Sequence, residues 1–219
     1  MSAPNEYPWV FQRDDIDLLE DELDDLYTTF AQVGSLMYQE QEILREQIET
    51  EEASDQALAR RLGLDEQKPR AQTLSSGRED ATFEDVVSAW QKAPLPIQTH
   101  PFYQQAKAWM KEVKPMARQQ YEGGGPTTME WFRIYANSNL VPLKIFWALC
   151  EEGKEDETGW QCAQEEYRLA QIYLLRILES LERAHSSWDL QEDVQRVRNQ
   201  GIELERILSG LLTRPQRRS

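Results

Sequence analysis

The residues of this chain that could do chemistry include a histidine placed three positions after a glutamate. Glu182 and His185 have the Glu-x-x-His spacing with which some helical bundles bind two iron ions. A complete site of that kind needs a second such motif and two further inward-facing glutamates. The second histidine, His100, lies in a proline-rich connection and has Ile97 where the glutamate would stand. We therefore predict no di-iron centre and interpret His185 as a surface residue near a helix end.

Pairs of neighbouring glutamates suggest a second chemistry, in which carboxylates that point into a helical bundle bind Mg²⁺. Glu179 and Glu182 form one Glu-x-x-Glu pair on a long predicted helix. The next helix has no Glu-x-x-Asp pair at a suitable distance, so we predict no catalytic residue, no metal ligand and no cofactor. A metal-dependent helical hydrolase stays open as an alternative, with these candidate ligands: Glu46, Glu49, Glu165, Glu166, Glu179 and Glu182.

Two further features suggest reactive or anion-binding groups but are incomplete. Cys150 and Cys162 are too few for a disulfide framework, and we expect free thiols. Cys150 has no histidine near it in sequence, so thiol catalysis is not predicted. The stretch GGGPTT over 123–128 could bind an anion ahead of a helix, but it lacks the Lys-Ser/Thr ending of a phosphate loop. We interpret it as a hinge.

The most acidic stretch, residues 14–30, reads DDIDLLEDELDDLYTTF and holds eight carboxylates in its first twelve residues. All eight lie off an apolar stripe that recurs at alternating spacings of three and four, which is the heptad pattern of an amphipathic, coiled-coil-like helix. The pattern weakens at Glu40 and recovers with Leu44 and Ile48. We predict a helix from about residue 13 to about 52, with this stripe: Ile16, Leu19, Leu23, Leu26, Phe30, Val33 and Met37.

The carboxylates of this helix repel one another. Like-charged neighbours one turn apart cost about 0.2–0.5 kcal/mol per pair on an isolated helix. We therefore expect basic groups nearby, either on another protein or on the C-terminal helix, which carries Arg196, Arg198 and Arg206. The alternative is a solvated face that keeps the protein soluble. As a partner-binding surface, its candidate residues are Asp17, Asp21, Asp24 and Asp25.

The net charge of −15 is concentrated at the N-terminus. Residues 1–55 hold two basic and sixteen acidic residues, whereas the remaining chain holds 22 basic and 23 acidic residues. An acidic segment of this kind repels nucleic acid and anionic membrane surfaces. We expect a protein partner with a basic surface and no nucleic-acid ligand.

The composition divides the chain into three predicted regions. Residues 1–55 form the acidic helix, 56–81 a linker with one short helix, and 82–219 a helical bundle. The linker segment ALARRLGLD is similar to the first helix of a helix-turn-helix, but Pro69 and Gly77 interrupt the helix that would read DNA. We therefore expect no DNA binding from the linker.

The bundle region shows helical periodicity throughout, and no segment alternates with a period of two. In the longer helices the apolar residues again recur at spacings of three and four. The stripe over 190–211 is predicted to pair with the stripe over 16–37 or with a second chain, which makes a homodimer possible. The sequence predicts an all-α protein, with bundle helices at about 101–115, 127–138, 141–152, 160–186 and 190–211.

Large aromatic residues are unusually dense between residues 90 and 160, where five of the seven tryptophans lie. Most of them should fill the core. Adjacent pairs on one helix cannot all face the same core, so some could line a groove that binds a partner or a small ligand. The candidate groove residues are Trp131, Phe132, Phe146 and Trp147.

The leading hypothesis is a non-enzymatic interaction protein, that is, an adaptor, an assembly factor or a regulator. It follows from the segregated charge, the surplus of aromatic residues and the lack of a complete catalytic arrangement. The chain shows no secretory signal and no apolar run long enough to span a membrane, so we expect a cytoplasmic protein with no membrane insertion.

Overall fold

The computed structural model describes residues 38–64, 97–124, 127–154, 157–184 and 191–213, and this part of the chain is all-α. The prediction of an all-α helical bundle is confirmed. The acidic stretch over 14–30 lies outside the described residues, so its predicted helix stays a prediction. The helices are α1 (Tyr38–Arg61), α2 (Pro101–Gly123), α3 (Thr128–Ser138), α4 (Leu140–Glu152), α5 (Glu157–Ala184) and α6 (Gln191–Leu212).

Helix α5 is the central element, and it packs against α1, α3, α4 and α6. The apolar stripe predicted for this helix is confirmed, because every one of its members is buried. Burial of each large apolar side chain contributes about 1.5–3 kcal/mol, which fixes the face that α5 turns inward. The buried stripe consists of Ala163, Tyr167, Ala170, Leu174, Ile177, Leu181 and Ala184.

Helix α6 packs closely on α5 and α2 because it has a glycine at the point of contact. A Cβ atom on Gly201 would lie 2.8 Å from Cδ2 of Leu178 and 3.4 Å from the indole of Trp109. That indole donates a hydrogen bond of 2.9 Å to the backbone carbonyl of Val197. The apolar stripe of α6 is therefore buried inside the bundle, with Val194, Val197, Leu204 and Leu208 in its core. These buried positions do not offer a surface for the stripe over 16–37 or for a second chain.

Helix α2 continues past a proline that was expected to end or kink it. Pro115 lies inside the helix, which runs on to Gly123. The side chains on either side of it, Val113 and Ala117, are fully buried, whereas Pro115 itself is exposed. Packing of the flanking residues therefore keeps the chain helical through the proline, although the ring removes one backbone hydrogen bond.

Helix α1 runs beyond residue 55, where the sequence suggested the start of a linker. It ends at Arg61, and Gly63 just beyond it has a φ of 68°, the left-handed conformation that glycine adopts most easily. The amide of Leu64 donates to the carbonyl of Ala59, and that of Gly63 donates to Arg60. These two hydrogen bonds form a Schellman motif, so the segment ALARRL (57–62) lies at the C-terminal end of α1 and is not a separate helix. The region boundary at 81 lies outside the described residues, and the three-region division stays a prediction.

The buried apolar residues fall into two clusters. The larger cluster draws its residues from α2 through α6. The smaller cluster joins α1 to α3 through Leu44, Phe132 and Ala136. Helix α1 therefore packs on the outside of a bundle that has its own core. In the described part of the chain, no helix combines the length and the hydropathy needed to cross a membrane.

Candidate partner-binding surface

The predicted partner-binding residues of the acidic stretch, Asp17, Asp21, Asp24 and Asp25, lie outside the described residues. Their role stays a prediction. The C-terminal arginines that were expected near them have other partners in the structure. Guanidinium groups of Arg196, Arg198 and Arg206 pair with Glu112, Glu182 and Glu203 respectively.

The predicted aromatic groove residues lie mostly in the core. Trp131 and Phe146 belong to the large cluster, and Trp147 is partly buried against it. Phe132 points the other way, into the small cluster beneath α1, where its ring centroid lies 5.3 Å from that of Tyr121. Helix α3 thus buries two faces, which accounts for the adjacent aromatic pair. The four residues remain candidates for partner binding, but three of them are buried in the folded chain.

Helix α1 is held on the bundle mainly by polar side chains. The bundle contributes residues from α3, α4 and α5, and the small apolar cluster lies at one end of them. We name this region the docking surface, and it consists of Phe132, Arg133, Asn137, Lys144, Tyr173 and Arg176.

Two arginines of the docking surface bind the same carboxylate of α1. The guanidinium of Arg133 donates to Glu46 at 2.7 Å, and Nε of Arg176 lies 3.2 Å from the same oxygen. Arg176 also donates to the hydroxyl of Thr50 at 2.7 Å. Both arginine side chains are only about one-sixth exposed (16% and 14%), so Glu46 compensates charges that the fold largely removes from water.

One lysine of the docking surface is shared between α1 and α5. Lys144 Nζ lies 3.0 Å from a carboxylate oxygen of Glu51 and 3.4 Å from one of Glu166. Burial acts to lower the pKa of Lys144, but the two carboxylates outweigh it and raise that pKa. Burial also raises the pKa of Glu166, although Lys144 opposes the shift. The Tyr173 hydroxyl donates to Glu51 at 2.5 Å, which completes this group.

Two polar residues of α1 occupy heptad positions that usually carry apolar side chains. Gln47 is buried and donates from its amide to Asn137 at 3.1 Å. Glu40 is buried and accepts a bond of 2.7 Å from the hydroxyl of Tyr121. Burial and this bond raise the pKa of Tyr121 above its usual range. The prediction that Ile48 continues the apolar stripe was wrong, because Gln47 faces the bundle and Ile48 is 49% exposed.

The outer face of α1 is acidic and contains this exposed apolar residue. Glu49, Glu52 and Asp55 are all exposed on the helix that carries Ile48. Within residues 39–55 the only basic side chain is Arg45, which pairs with Glu42 and Glu49. Arg45 compensates Glu49, so the outer face is left with the exposed carboxylates of Glu52 and Asp55, for which the described residues show no ion pair.

A groove of about 740 Å³ lies beside α1. Its apolar part is formed by Ile43 and Met129, and both carboxylates and guanidinium groups line the rest. One oxygen of Glu130 is buried there and accepts no hydrogen bond from the described residues. A donor from a bound molecule would relieve the cost of that unpaired acceptor.

The glutamates considered as Mg²⁺ ligands are each paired with a basic side chain. Glu46, Glu165, Glu166 and Glu179 bind basic residues of other helices, Glu49 binds Arg45 within α1, and Glu182 lies 3.9 Å from Arg198. Among the described residues, no three acidic, histidine or cysteine side chains form a group that could hold a metal ion. His185 lies outside the described residues.

Neither Cys150 nor Cys162 forms a disulfide in the structure. Burial raises the pKa of Cys150 to about 11, and Glu151 adds to the shift. A thiol with a raised pKa is a poor nucleophile at neutral pH, because only the thiolate attacks. The geometry therefore favours a packing role for Cys150.

The sequence analysis missed the three basic residues of the docking surface. Each of them is a lone basic residue inside an apolar helical segment: Arg133 in MEWFRIYA, Lys144 in LVPLKIFW and Arg176 in IYLLRIL. A charge in such a segment is costly unless a partner compensates it. That pattern was a usable signal for a charged interface on this side of the bundle.

Comparison of the chain with protein-family models, with curated proteins and with solved structures gives no match. The function of the chain is therefore inferred from the surfaces described above.

Proposed function

We propose that this protein is a non-enzymatic interaction module, an adaptor, assembly factor or regulator, whose acidic N-terminal region docks a basic protein partner. The observation that carries the proposal is the outer face of α1, where exposed carboxylates surround the half-exposed side chain of Ile48. Such a face is complementary to a basic segment that carries one apolar anchor.

The division of charge on α1 supports this proposal. Three of its carboxylates, Glu40, Glu46 and Glu51, are engaged by Tyr121 and by the docking surface. The carboxylates on the outer face are not needed for that contact. Their mutual repulsion is unfavourable in the isolated protein and would be relieved by a basic partner. The bundle thus uses one part of the acidic helix and leaves the other part for binding.

The groove beside α1 extends the same surface. Its lining includes Glu42 and Glu49 on α1 and Glu130 on α3. A lysine or arginine of the partner that enters this groove would pair with a carboxylate at its rim, while its aliphatic stem packs on Ile43 and Met129. The groove also contains arginines, so it would select a particular arrangement of charges.

The test is a capture experiment with the full chain and two variants in which acidic residues are neutralised. Neutralising Asp17, Asp21, Asp24 and Asp25 together should remove a partner captured from source-cell lysate at low salt. Neutralising Glu49, Glu52 and Asp55 should weaken capture as well. Raised salt should release the partner, because exposed charges are screened within about 10 Å at 0.1 M salt.

The matched control neutralises three exposed glutamates elsewhere, Glu122, Glu157 and Glu192. It changes the net charge as much as the variant of Glu49, Glu52 and Asp55 does. Capture should survive in this control, and circular dichroism should show an intact bundle in all variants. Capture that all variants retain, or that the control also loses, would refute the proposed role of the acidic region.

Homodimerisation through the stripe over 16–37 belongs to the same proposal. The stripe of α6 is buried in its own bundle, so a dimer would have to pair two N-terminal stripes. Light scattering over a range of protein concentrations tests this directly. A mass of one chain at every concentration would remove the dimer and leave the basic protein as the proposed partner.

A further inference from the structure

We propose that the docking surface is a receptor site for an acidic amphipathic helix. Helix α1 occupies this site within the same chain, and a helix of the same chemistry from another protein replaces α1 when it leaves. The site is separate from the outer face of α1 and has the opposite charge, so it does not depend on the proposed function.

Helix α1 can leave because the bundle does not need it for its core. The large apolar cluster is built from α2 through α6. Among the side chains described between residues 39 and 61, Leu44 is the only buried apolar one. Its burial contributes about 1.5–3 kcal/mol, which is small beside the contribution of the large cluster. Loss of α1 would therefore leave a folded bundle.

The surface that α1 leaves behind tolerates water. Its centre is formed by Arg133, Lys144 and Arg176, each about one-seventh to one-sixth exposed while α1 is in place. Burial lowers the pKa of Arg176, so this guanidinium is held partly out of water in the folded chain. Release of α1 would rehydrate all three charges and recover their desolvation cost. Release of α1 would also expose Phe132 and Ala136, which are the two bundle residues of the small apolar cluster.

The contacts of α1 define what the receptor recognises. Glu46 meets two arginines, and Glu51, five positions later, meets Lys144 and Tyr173. Between them Gln47 pairs with Asn137. Leu44 supplies the apolar contact to Phe132. A ligand helix should therefore carry one apolar residue, followed by a carboxylate and an adjacent amide side chain. A second carboxylate should lie about a turn and a half after the first carboxylate.

The experiment measures binding of a labelled peptide with the sequence of residues 38–64 to the full chain by fluorescence anisotropy. In the wild type, α1 should block the site and binding should be weak. The substitutions Glu46→Gln and Glu51→Gln, made together in the full chain, should loosen α1 and raise the peptide affinity at least about tenfold, because the open fraction limits the apparent affinity. A peptide with the same two substitutions should not bind.

Two further variants keep the test decisive. Leu44→Ala loosens α1 without changing any charge, so it should raise the affinity even if the double variant folds poorly. Arg133→Gln with Arg176→Gln, added to the loosened chain, should abolish the binding. The matched control is Glu122→Gln with Glu192→Gln, which removes the same charge from exposed positions and should bind no better than wild type.

Two results would overturn the receptor site. One is that neither loosened chain binds the peptide better than the control does. The other is that the loosened chain still binds after Arg133 and Arg176 are replaced, because the peptide would then be bound elsewhere. Neither result bears on capture of a basic partner by the acidic outer face, which is measured with different variants.

Discussion

At the scale of single residues, the polar contacts beneath α1 are notable for the burial of their charges. Lys144 is 14% exposed and lies between Glu51 and Glu166. A buried ion pair adds little stability compared with a well-packed apolar pair, but removal of one partner leaves an uncompensated buried charge. The residues of the docking surface are therefore sensitive to substitution one at a time.

We predict that Lys144→Met destabilises the protein by about 3 kcal/mol near neutral pH, because two carboxylates lose their cation. The cost should shrink as the pH falls. Burial already raises the pKa of Glu166 above 4.5, and loss of Lys144 raises it further. At pH values between the pKa of Glu166 in the unfolded state and its higher pKa in the folded state, the folded state binds more protons. The free energy of unfolding therefore increases as the pH is lowered. Urea unfolding at about pH 7 and about pH 5 measures both effects.

The control for this prediction is the double variant Lys144→Met with Glu166→Gln. Removal of the buried carboxylate should restore part of the lost stability and weaken the pH dependence. A double variant as unstable as Lys144→Met alone, with an unchanged pH dependence, would show that Glu166 is not the group left uncompensated.

The partners of these residues could not be read from the sequence. Arg133 and Glu46 are 87 positions apart, Lys144 and Glu51 are 93 apart, and Arg176 and Thr50 are 126 apart. The sequence shows that a lone basic residue in an apolar segment needs a partner, but the partner depends on how distant helices pack. The sequence could therefore predict a charged contact on this side of the bundle, but it could not identify the residues that form it.

At the scale of elements, local periodicity determined what the sequence could predict. The predicted apolar positions of α5 are all buried, but the helix also buries Glu165 and Ser180, which the apolar pattern does not identify. On α1 the buried heptad positions include Glu40 and Gln47, which an apolar pattern cannot identify. The side-chain oxygen of Asn137 that accepts a hydrogen bond from Gln47 lies 90 positions further along the chain. The sequence therefore did not show that Gln47 is buried, and the inward-facing position was predicted at Ile48 instead.

Two glycines of α6 provide a matched prediction about helix packing. Gly210→Ala should stabilise the protein by about 1 kcal/mol, because its Cβ meets no atom within 4 Å and alanine favours the helix. Gly201→Ala should be less stable than Gly210→Ala by about 1–3 kcal/mol, because its Cβ would crowd Leu178. Urea unfolding of both variants gives the comparison.

The Gly201 prediction rests on Leu178, because a Cβ 2.8 Å from its Cδ2 requires that side chain or α6 to move, whereas the Trp109 indole at 3.4 Å would be in ordinary contact. Leu178 packs against the large apolar cluster, so its displacement costs packing. Equal stabilisation by the two alanines would mean that Leu178 or α6 shifts to accommodate the methyl group. The close approach of α6 to α5 would then be incidental rather than required.

At the scale of the whole molecule, the described helices form a bundle with a core of its own and one helix attached to its surface. The fold class was predictable, because helical periodicity is local and no segment alternates like a strand. The attachment of α1 to the bundle was not predictable. The prediction of a linker from residue 56 used only local composition, which does not show where a helix packs. The Schellman ending at Gly63 is local, whereas the partners of α1 on α3, α4 and α5 depend on how distant helices pack.

We predict two classes of backbone amides in hydrogen exchange. Amides of α1 should exchange through a local opening of lower free energy than those of α5, because Leu44 is its one buried apolar anchor among residues 39–61. Added salt should speed exchange in α1 only modestly and leave α5 unchanged, because the ion pairs of the docking surface are largely buried and are screened weakly. Equal protection of both helices at every salt concentration would show that α1 unfolds only with the bundle.

The polar character of the docking surface also has a thermodynamic consequence. The heat capacity of unfolding rises with the apolar surface that becomes exposed and falls with the polar surface. Release of α1 would expose few apolar side chains, Leu44 and Phe132 among them, together with several charged ones. Its heat-capacity change should therefore be small, so a van't Hoff plot of the released population should be close to a straight line. The bundle, in contrast, should show the curved stability profile of an apolar core.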